Sequence, residues 1–132
     1  MHKLDTAFRF HQDAANLRSY RQQLISSNIA NADTPNFKAR DINFRAALEG
    51  ALDNRAVKLT TSVPNHIASP DNIFGGTTLV QYRTAVQGSV DGNTVDMDAE
   101  RGQFADNAIH YEANLTFISD QIKIMRAAIQ GQ

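Results

Sequence analysis

The C-terminal end of the chain, residues 96–130, carries the pattern that most limits how this sequence can fold. Two apolar rows each repeat every seven residues, and the second row is offset from the first by four. Because seven residues make almost two turns of an α-helix, both rows fall on one narrow stripe, which is typical of a coiled-coil seam. The predicted assembly seam on this helix consists of Phe104, Ala108, Tyr111, Leu115, Ile118, Ile122, Met125 and Ile129.

The same helix has a second apolar face. At about 100° per residue, its members lie nearly opposite the seam. They are Ala113, Phe117, Ile124 and Ala128. One partner helix covers only one side, so a helix that is apolar on both sides needs several neighbours. A chain of 132 residues has the length of one domain, and we expect other chains to supply those neighbours. Burial inside one compact domain is the alternative.

Residues 1–34 are predicted to form the other long helix of the core. Leu17 and Leu24 lie seven residues apart and should pack against the seam of the final helix. The helix should end before Pro35, because the residue preceding a proline is pushed out of the α region. The predicted fold class is therefore mainly α, with two long terminal helices packed as a coiled coil and an irregular, partly extended middle segment.

Two polar residues, Arg21 and Asn28, fall inside the apolar stripe of this first helix. They can be tolerated polar positions whose side chains reach solvent. They can also fix register or pair across an interface, as buried polar residues do in coiled coils. The sequence leaves both interpretations open.

The remaining chain divides into a connector at 35–52, a middle segment at 53–94 and the final helix at 95–132. In the connector, Asn43 is a helix-capping residue type, and we expect a short helix from Phe44 to about Leu52. The middle segment is rich in Gly, Pro and small polar residues, and two short runs in it, 57–60 and 77–82, are candidate strands.

Composition excludes several functional classes. The 13 basic and 14 acidic residues nearly balance, so no field of one sign favours nucleic acid as a partner. The chain has no cysteine, which excludes disulfides and thiol catalysis. The first residues lack the apolar core and cleavage site of a secretory signal peptide. Any export should therefore use a route that removes no N-terminal peptide.

An acidic cluster at the start of the final helix is the strongest candidate for metal chemistry. Asp96, Asp98 and Glu100 could serve a small metal-dependent enzyme, but carboxylates are also favoured at the positive end of a helix. The spacing lacks the ligand and glycine positions of a calcium loop. No histidine spacing or nucleophile motif points to a catalytic residue, a metal site or a cofactor. Capping is the preferred interpretation.

Two strings resemble a known family. The first runs from the end of helix one into the following turn, and its residues are Asn28, Ile29, Ala30, Asn31, Thr34, Pro35 and Phe37. This string resembles the N-terminal signature of bacterial flagellar axial proteins. Asn36 stands where that family often has glycine, a mild departure because asparagine tolerates the left-handed region. Residues 91–101 and 103–107 are similar to the same family's proximal rod subunits.

The resemblance implies a structural subunit that assembles helically into the periplasmic rod. Its terminal helices would pack with copies of the chain and with other rod subunits, and its partners would include the membrane ring and rod-base adaptor proteins. The tube would transmit torque and line the export channel. Subunits of this family leave the cytoplasm through the flagellar type III export gate, and Phe44 and Leu48 match the family's Phe-x-x-x-apolar gate signal. A small amphipathic helix explains that short pattern equally well.

A rival hypothesis uses the same seam differently. A cytoplasmic coiled-coil adaptor or secretion chaperone would bury it in a discrete dimer. Such a protein would remain in the cytoplasm as a stable dimer, whereas a rod subunit would copurify with basal bodies.

Overall fold

The computed structural model describes residues 2–52, 80–85 and 88–131. Three helices and two short strands are found in these ranges. In chain order they are α1 (His2–Ala30), β1 (Arg40–Ile42), α2 (Phe44–Leu52), β2 (Val80–Tyr82) and α3 (Met97–Ile129). The fold is mainly α with two long terminal helices, as the sequence predicts. The candidate strand at 57–60 lies outside the described residues.

Helices α1 and α3 pack against each other in opposite directions and form the long axis of the subunit. Arg18 of α1 lies opposite Asn107 of α3, and His11 lies opposite Asn114. Chain numbers therefore rise along α1 as they fall along α3. Continuing the same register places His2 opposite Lys123, so the last turns of α3 extend past the beginning of α1.

The start of α3 is fixed by its capping residue. The Asp96 carboxylate accepts hydrogen bonds from the backbone N–H groups of Asp98 (3.0 Å) and Ala99 (3.2 Å). These bonds satisfy two of the four amides that have no partner inside the helix. The capping interpretation of the acidic cluster therefore holds at Asp96.

A two-stranded antiparallel sheet packs against α1. Arg40 of β1 pairs with Tyr82 of β2, and Ile42 pairs with Val80. Strand β2 falls within the candidate run at 77–82. The sequence pattern does not indicate β1, because three residues are too few to show the alternation of a strand.

A small apolar core lies where the sheet, α2 and α1 meet. Its buried members are Leu17, Leu24, Ile42 and Ala47, with Tyr20, Phe44, Leu48 and Val80 packed around them. Helix α2 occupies its predicted bounds, and the Asn43 side-chain oxygen accepts from the Ala46 N–H at 3.2 Å. Burial is therefore concentrated around α1, and most of α3 contributes little apolar surface to this core. None of the helices described is both long and apolar enough to cross a membrane.

Candidate assembly surface

Polar side chains, and not only apolar ones, occupy the face of α3 that meets α1. Asn107 is completely buried, and its Nδ2 donates to the Arg18 backbone oxygen at 2.8 Å. Asn114, one heptad later, donates to the His11 backbone oxygen at the same distance. The same contact therefore repeats seven residues apart on both helices. Because each amide must find its carbonyl, the pair fixes the register of α1 against α3.

An ion-pair cluster joins four segments at the other end of this contact. Arg21 of α1 binds both carboxylate oxygens of Asp41, at 2.9 and 3.0 Å. Arg83, which follows β2, donates to Asp41 at 2.7 Å and also to the fully buried Glu100 of α3. The Gln103 side-chain oxygen accepts from both arginines at 2.7 Å. Two cations and two anions balance, so the cluster ties the sheet to both helices without a net charge.

The pKa values of the two carboxyl groups in this cluster are shifted in opposite directions. Burial favours a higher pKa for Asp41, but hydrogen bonds from Arg21 and Arg83 outweigh it and lower that pKa. Burial raises the pKa of Glu100, and the opposing effects of Asn28 and Arg83 do not cancel it. Asp41 is therefore the carboxylate whose ionised form the cluster favours.

The string at the end of α1 has a structural role. The buried Asn28 amide donates to the Arg40 backbone oxygen (2.8 Å) and accepts from the Arg40 N–H (3.0 Å). The Asn28 side chain therefore makes the two hydrogen bonds to β1 that the backbone of a neighbouring strand would make. Asn31 donates to the Ser27 carbonyl at 2.8 Å. The next turn places Asn36 at a φ of 59°, the left-handed region that asparagine tolerates. Of the two interpretations of Asn28, the structure supports the register-fixing one.

Asn93, in the loop before α3, binds the turn that follows α1. Its Nδ2 lies 2.8–3.0 Å from the backbone oxygens of Asn31, Ala32 and Thr34. Its Oδ1 accepts from the Val95 N–H at 2.8 Å. The carbonyls of Asn31 and Thr34 also accept from the backbone N–H groups of Thr34 and Phe37, so Asn93 adds a second bond to each and ties the loop before α3 to this turn. The sequence analysis did not single out Asn93, although the Asp-Gly-Asn turn that presents it is visible in the sequence.

The predicted seam is only partly covered by α1. Ala108, Tyr111, Ile118 and Met125 are half-buried. Leu115, Ile122 and Ile129 remain 41%, 50% and 86% exposed, and Phe104 is also exposed. The contact with α1 is rotated toward the polar row of Asn107 and Asn114, which takes the place expected for the leucine row. On α1, Leu17 and Leu24 are both buried, but the apolar cluster that contains them is formed by α1, α2 and the sheet and has no member from the seam.

The second face of α3 is open. Phe117 and Ile124 are 62% and 67% exposed, and Ala113 and Ala128 are exposed as well. Ile109 extends this face by one turn toward the N-terminus and is also exposed. The sequence analysis missed Ile109, although its position four residues before Ala113 is the required spacing.

A shallow apolar groove of about 350 Å³ lies where the end of α1 meets the start of α3. Its lining residues are Ser26, Ile29, Ala30, Arg101 and Phe104. Ile29 and Ala30 belong to the family-like string, so the same short stretch forms the turn into β1 and presents apolar surface to the outside. Phe104, the first residue of the predicted seam, forms the opposite wall.

The remaining predicted residues have different surroundings. Asp96 caps α3 and Glu100 binds Arg83, so these two carboxylates do not converge. Within residues 2–52, 80–85 and 88–131, no group of three acidic, histidine or cysteine residues could hold a metal ion.

Phe44 and Leu48, the residues of the predicted gate signal, are half-buried against the core. The Arg18 guanidinium lies 3.9 Å from the centre of the Phe44 ring.

Comparison with known proteins identifies the family. A family profile described as "Flagella basal body rod protein" matches residues 8–38. The chain is 45% identical to the "Flagellar basal body rod protein FlgB" of Proteus mirabilis, covering 97% of this chain and 96% of that protein. It is 46% identical to the FlgB of Escherichia coli, covering 98% and 96% of the two chains. The chain belongs to the FlgB family of flagellar basal body rod proteins. It is a structural subunit of the basal body rod.

FlgB family membership decides between the hypotheses raised by the sequence. The matches do not favour a cytoplasmic adaptor or chaperone, and they extend along nearly the whole chain rather than over the seam alone. The FlgB family assembles with other rod subunits in the basal body. An assembling subunit needs surfaces that its own chain leaves uncovered, and α3 has them on two sides.

Proposed function

We propose that the chain forms the proximal part of the rod, and that both open faces of α3 are buried by neighbouring rod subunits. The first open face consists of Phe104, Leu115, Ile122 and Ile129, and the second of Ala113, Phe117, Ile124 and Ala128. The single observation that carries the proposal is the exposure of Leu115, Ile122, Phe117 and Ile124. Each large apolar side chain contributes about 1.5–3 kcal/mol when it is fully buried. Their burial between subunits therefore favours assembly.

The contacts between α1 and α3 support this proposal, because they use polar side chains of α3. The amides of Asn107 and Asn114 hold α1 and α3 together without using the leucine row. That row remains free for neighbours in the tube, including copies of this chain. The assembled tube would stand in the periplasm, transmit torque and enclose the export channel. Its base would contact the membrane ring and the rod-base adaptor proteins.

We also propose that the chain is exported through the flagellar type III gate without removal of an N-terminal peptide. Phe44 and Leu48 would form the gate signal. Both side chains pack against the core in the folded subunit, and Arg18 covers the Phe44 ring. The gate would therefore read this signal on the unfolded chain, and folding beyond the membrane would hide it.

The test replaces exposed seam residues with a charge. Leu115→Asp and Ile122→Asp should leave the subunit folded, because both side chains are already largely exposed in the single chain. They should prevent incorporation into basal bodies and abolish swimming, because an unpaired charge in a desolvated interface is costly. Thr116→Asp, on the exposed polar side of the same helix, is the matched control and should remain motile.

The measurements are circular dichroism of the purified variants, their abundance in isolated basal bodies, and swimming in a strain that lacks the wild-type gene. Folded Leu115→Asp and Ile122→Asp subunits that still build motile flagella would contradict the proposed role of this face. Loss of motility in the Thr116→Asp control would show that any charge on α3 is harmful, and it would remove the support for a specific face.

A further inference from the structure

We propose that the first open face of α3 packs against the second open face of α3 in another copy of this chain, with the two helices parallel and displaced by five to six residues. The inference rests on the proposed burial of α3 between rod subunits. It adds which face meets which and in what register. The occupant of each face is therefore a second copy of the same helix.

The large apolar residues of the two faces have nearly the same spacing. Intervals of seven and seven separate those of the first face, which are Leu115, Ile122 and Ile129. Intervals of eight and seven separate those of the second face, which are Ile109, Phe117 and Ile124. The positions on the second face are lower by six, five and five residues. At 1.5 Å per residue, one displacement of about 8 Å therefore brings all three pairs together.

The same displacement joins a cation to an anion at the edge of the contact. Arg126 lies one turn after Ile122, beside the first face, and it is exposed and forms no ion pair in the described ranges. Asp120 lies three residues after Phe117, beside the second face, and is also exposed. Its position is six residues lower than that of Arg126. Asp120 binds Lys123 of its own helix through one carboxylate oxygen at 3.0 Å, but an exposed pair of this kind contributes little and leaves the second oxygen available.

The charges decide between a parallel and an antiparallel arrangement. With antiparallel helices the apolar residues match equally well, because the numbers of the paired positions have a nearly constant sum. Arg126 would then lie opposite Ala113, where the second face has no anion. Parallel helices place Arg126 opposite Asp120, and the observed charges therefore favour them.

The rest of the described subunit leaves this part of α3 accessible. Helix α2 and the sheet pack against the buried leucines of α1. Arg18, between those leucines in the sequence, lies opposite Asn107. Because α1 and α3 run in opposite directions, α3 extends away from α2 and the sheet from residue 109 onward. Two copies can therefore approach side by side along this part of the helix.

A contact between two different faces is heterologous. Each copy uses its first face toward one neighbour and its second face toward the other, so one kind of contact buries both faces. Heterologous contacts that do not close into a ring generate open helical assemblies. A symmetric contact would pair one face with itself and leave the other face open.

The first experiment reverses the charges at the edge of the contact. Arg126→Glu alone and Asp120→Arg alone should each reduce incorporation into basal bodies about tenfold, because like charges would then face each other. The double variant Arg126→Glu/Asp120→Arg should recover most of the incorporation, because the pair is restored in the opposite sense. Circular dichroism of the purified variants checks that each remains folded.

The matched control separates this pair from the pair within the helix. Lys123→Glu combined with Asp120→Arg restores the exposed pair of the single helix, but it leaves two cations facing each other between copies. It should therefore not recover incorporation. Failure of Arg126→Glu to rescue Asp120→Arg, or equal rescue by Lys123→Glu, would overturn the inference.

The second experiment uses the absence of cysteine from the chain. A variant with both Ile122→Cys and Phe117→Cys should form a ladder of disulfide-linked multimers in isolated, oxidised basal bodies, because each copy offers one thiol to each neighbour. The two positions lie on different sides of one helix, so they cannot form a disulfide within a chain. Either substitution alone should give no dimer. Dimers of the Ile122→Cys variant alone, or incorporation of the double variant without a ladder, would overturn the inference.

The two proposals fail in different ways. If Leu115→Asp blocks assembly while the charge reversal gives no rescue and the double cysteine variant gives no ladder, the neighbours of α3 are other rod subunits and the proposed function stands. If Leu115→Asp is harmless, the burial of α3 between subunits is wrong.

Discussion

Asn93 offers the most direct test of how the loop before α3 stabilises the subunit. Its two Nδ2 hydrogens serve three carbonyls in the turn that follows α1, and its Oδ1 accepts from the Val95 N–H. An NH₂ group donates at most two full hydrogen bonds, so Asn93→Ala removes about three bonds in total. At about 1 kcal/mol each, the loss is about 3 kcal/mol of unfolding free energy. This corresponds to a melting temperature lower by about 10 °C for a chain of this size.

The isosteric variant Asn93→Asp separates hydrogen bonding from packing. It keeps the shape but points an anion at three carbonyl oxygens, so it should be less stable than Asn93→Ala at neutral pH. This environment raises the pKa of the new carboxyl group, and the penalty should therefore decrease as the pH falls and the group becomes protonated. Urea unfolding followed by circular dichroism measures both effects, with Asn16→Asp at an exposed α1 position as control. Equal stability of Asn93→Asp and wild type would refute the stabilising role of these hydrogen bonds.

Two further predictions concern the cluster and the gate signal. The neighbouring arginines lower the pKa of Asp41. The stabilisation that Asp41 provides is therefore present above the pKa of an unfolded aspartate, about 3.9, and is lost as the pH falls through the lower pKa of the folded state. Asp41→Asn should therefore cost about 2 kcal/mol at pH 7 and progressively less in acid, and a difference that does not depend on pH in urea unfolding would contradict the assignment. Phe44→Ala should reduce the export of newly made chain, measured by fractionation. Arg45→Ala, an exposed neighbour, should not, and equal export of both variants would remove Phe44 from the gate signal.

Local signals in the sequence predicted most of the helical architecture. Asn43 and Asp96 indicate where α2 and α3 begin, because capping side chains act within three residues. The pairing of β1 with β2 joins Ile42 to Val80, and short strands so far apart in sequence have no local signal. The cluster around Arg83 is missed for the same reason. Its partners converge only after the sheet has formed.

The rotation of the α1–α3 contact could not be predicted from the sequence, because periodicity detects only apolar repeats. A search for apolar repeats finds the leucine row of α3 and treats Asn107 and Asn114 as surface positions, because buried amides look the same as exposed ones in a sequence. The structure reverses these roles: the amides are paired inside the subunit, while Leu115 and Ile122 remain largely exposed. Directional hydrogen bonds specify one register within a chain, whereas apolar surface binds any complementary neighbour. The packing of the subunit therefore leaves the apolar rows of α3 free for the contacts that we propose between rod subunits.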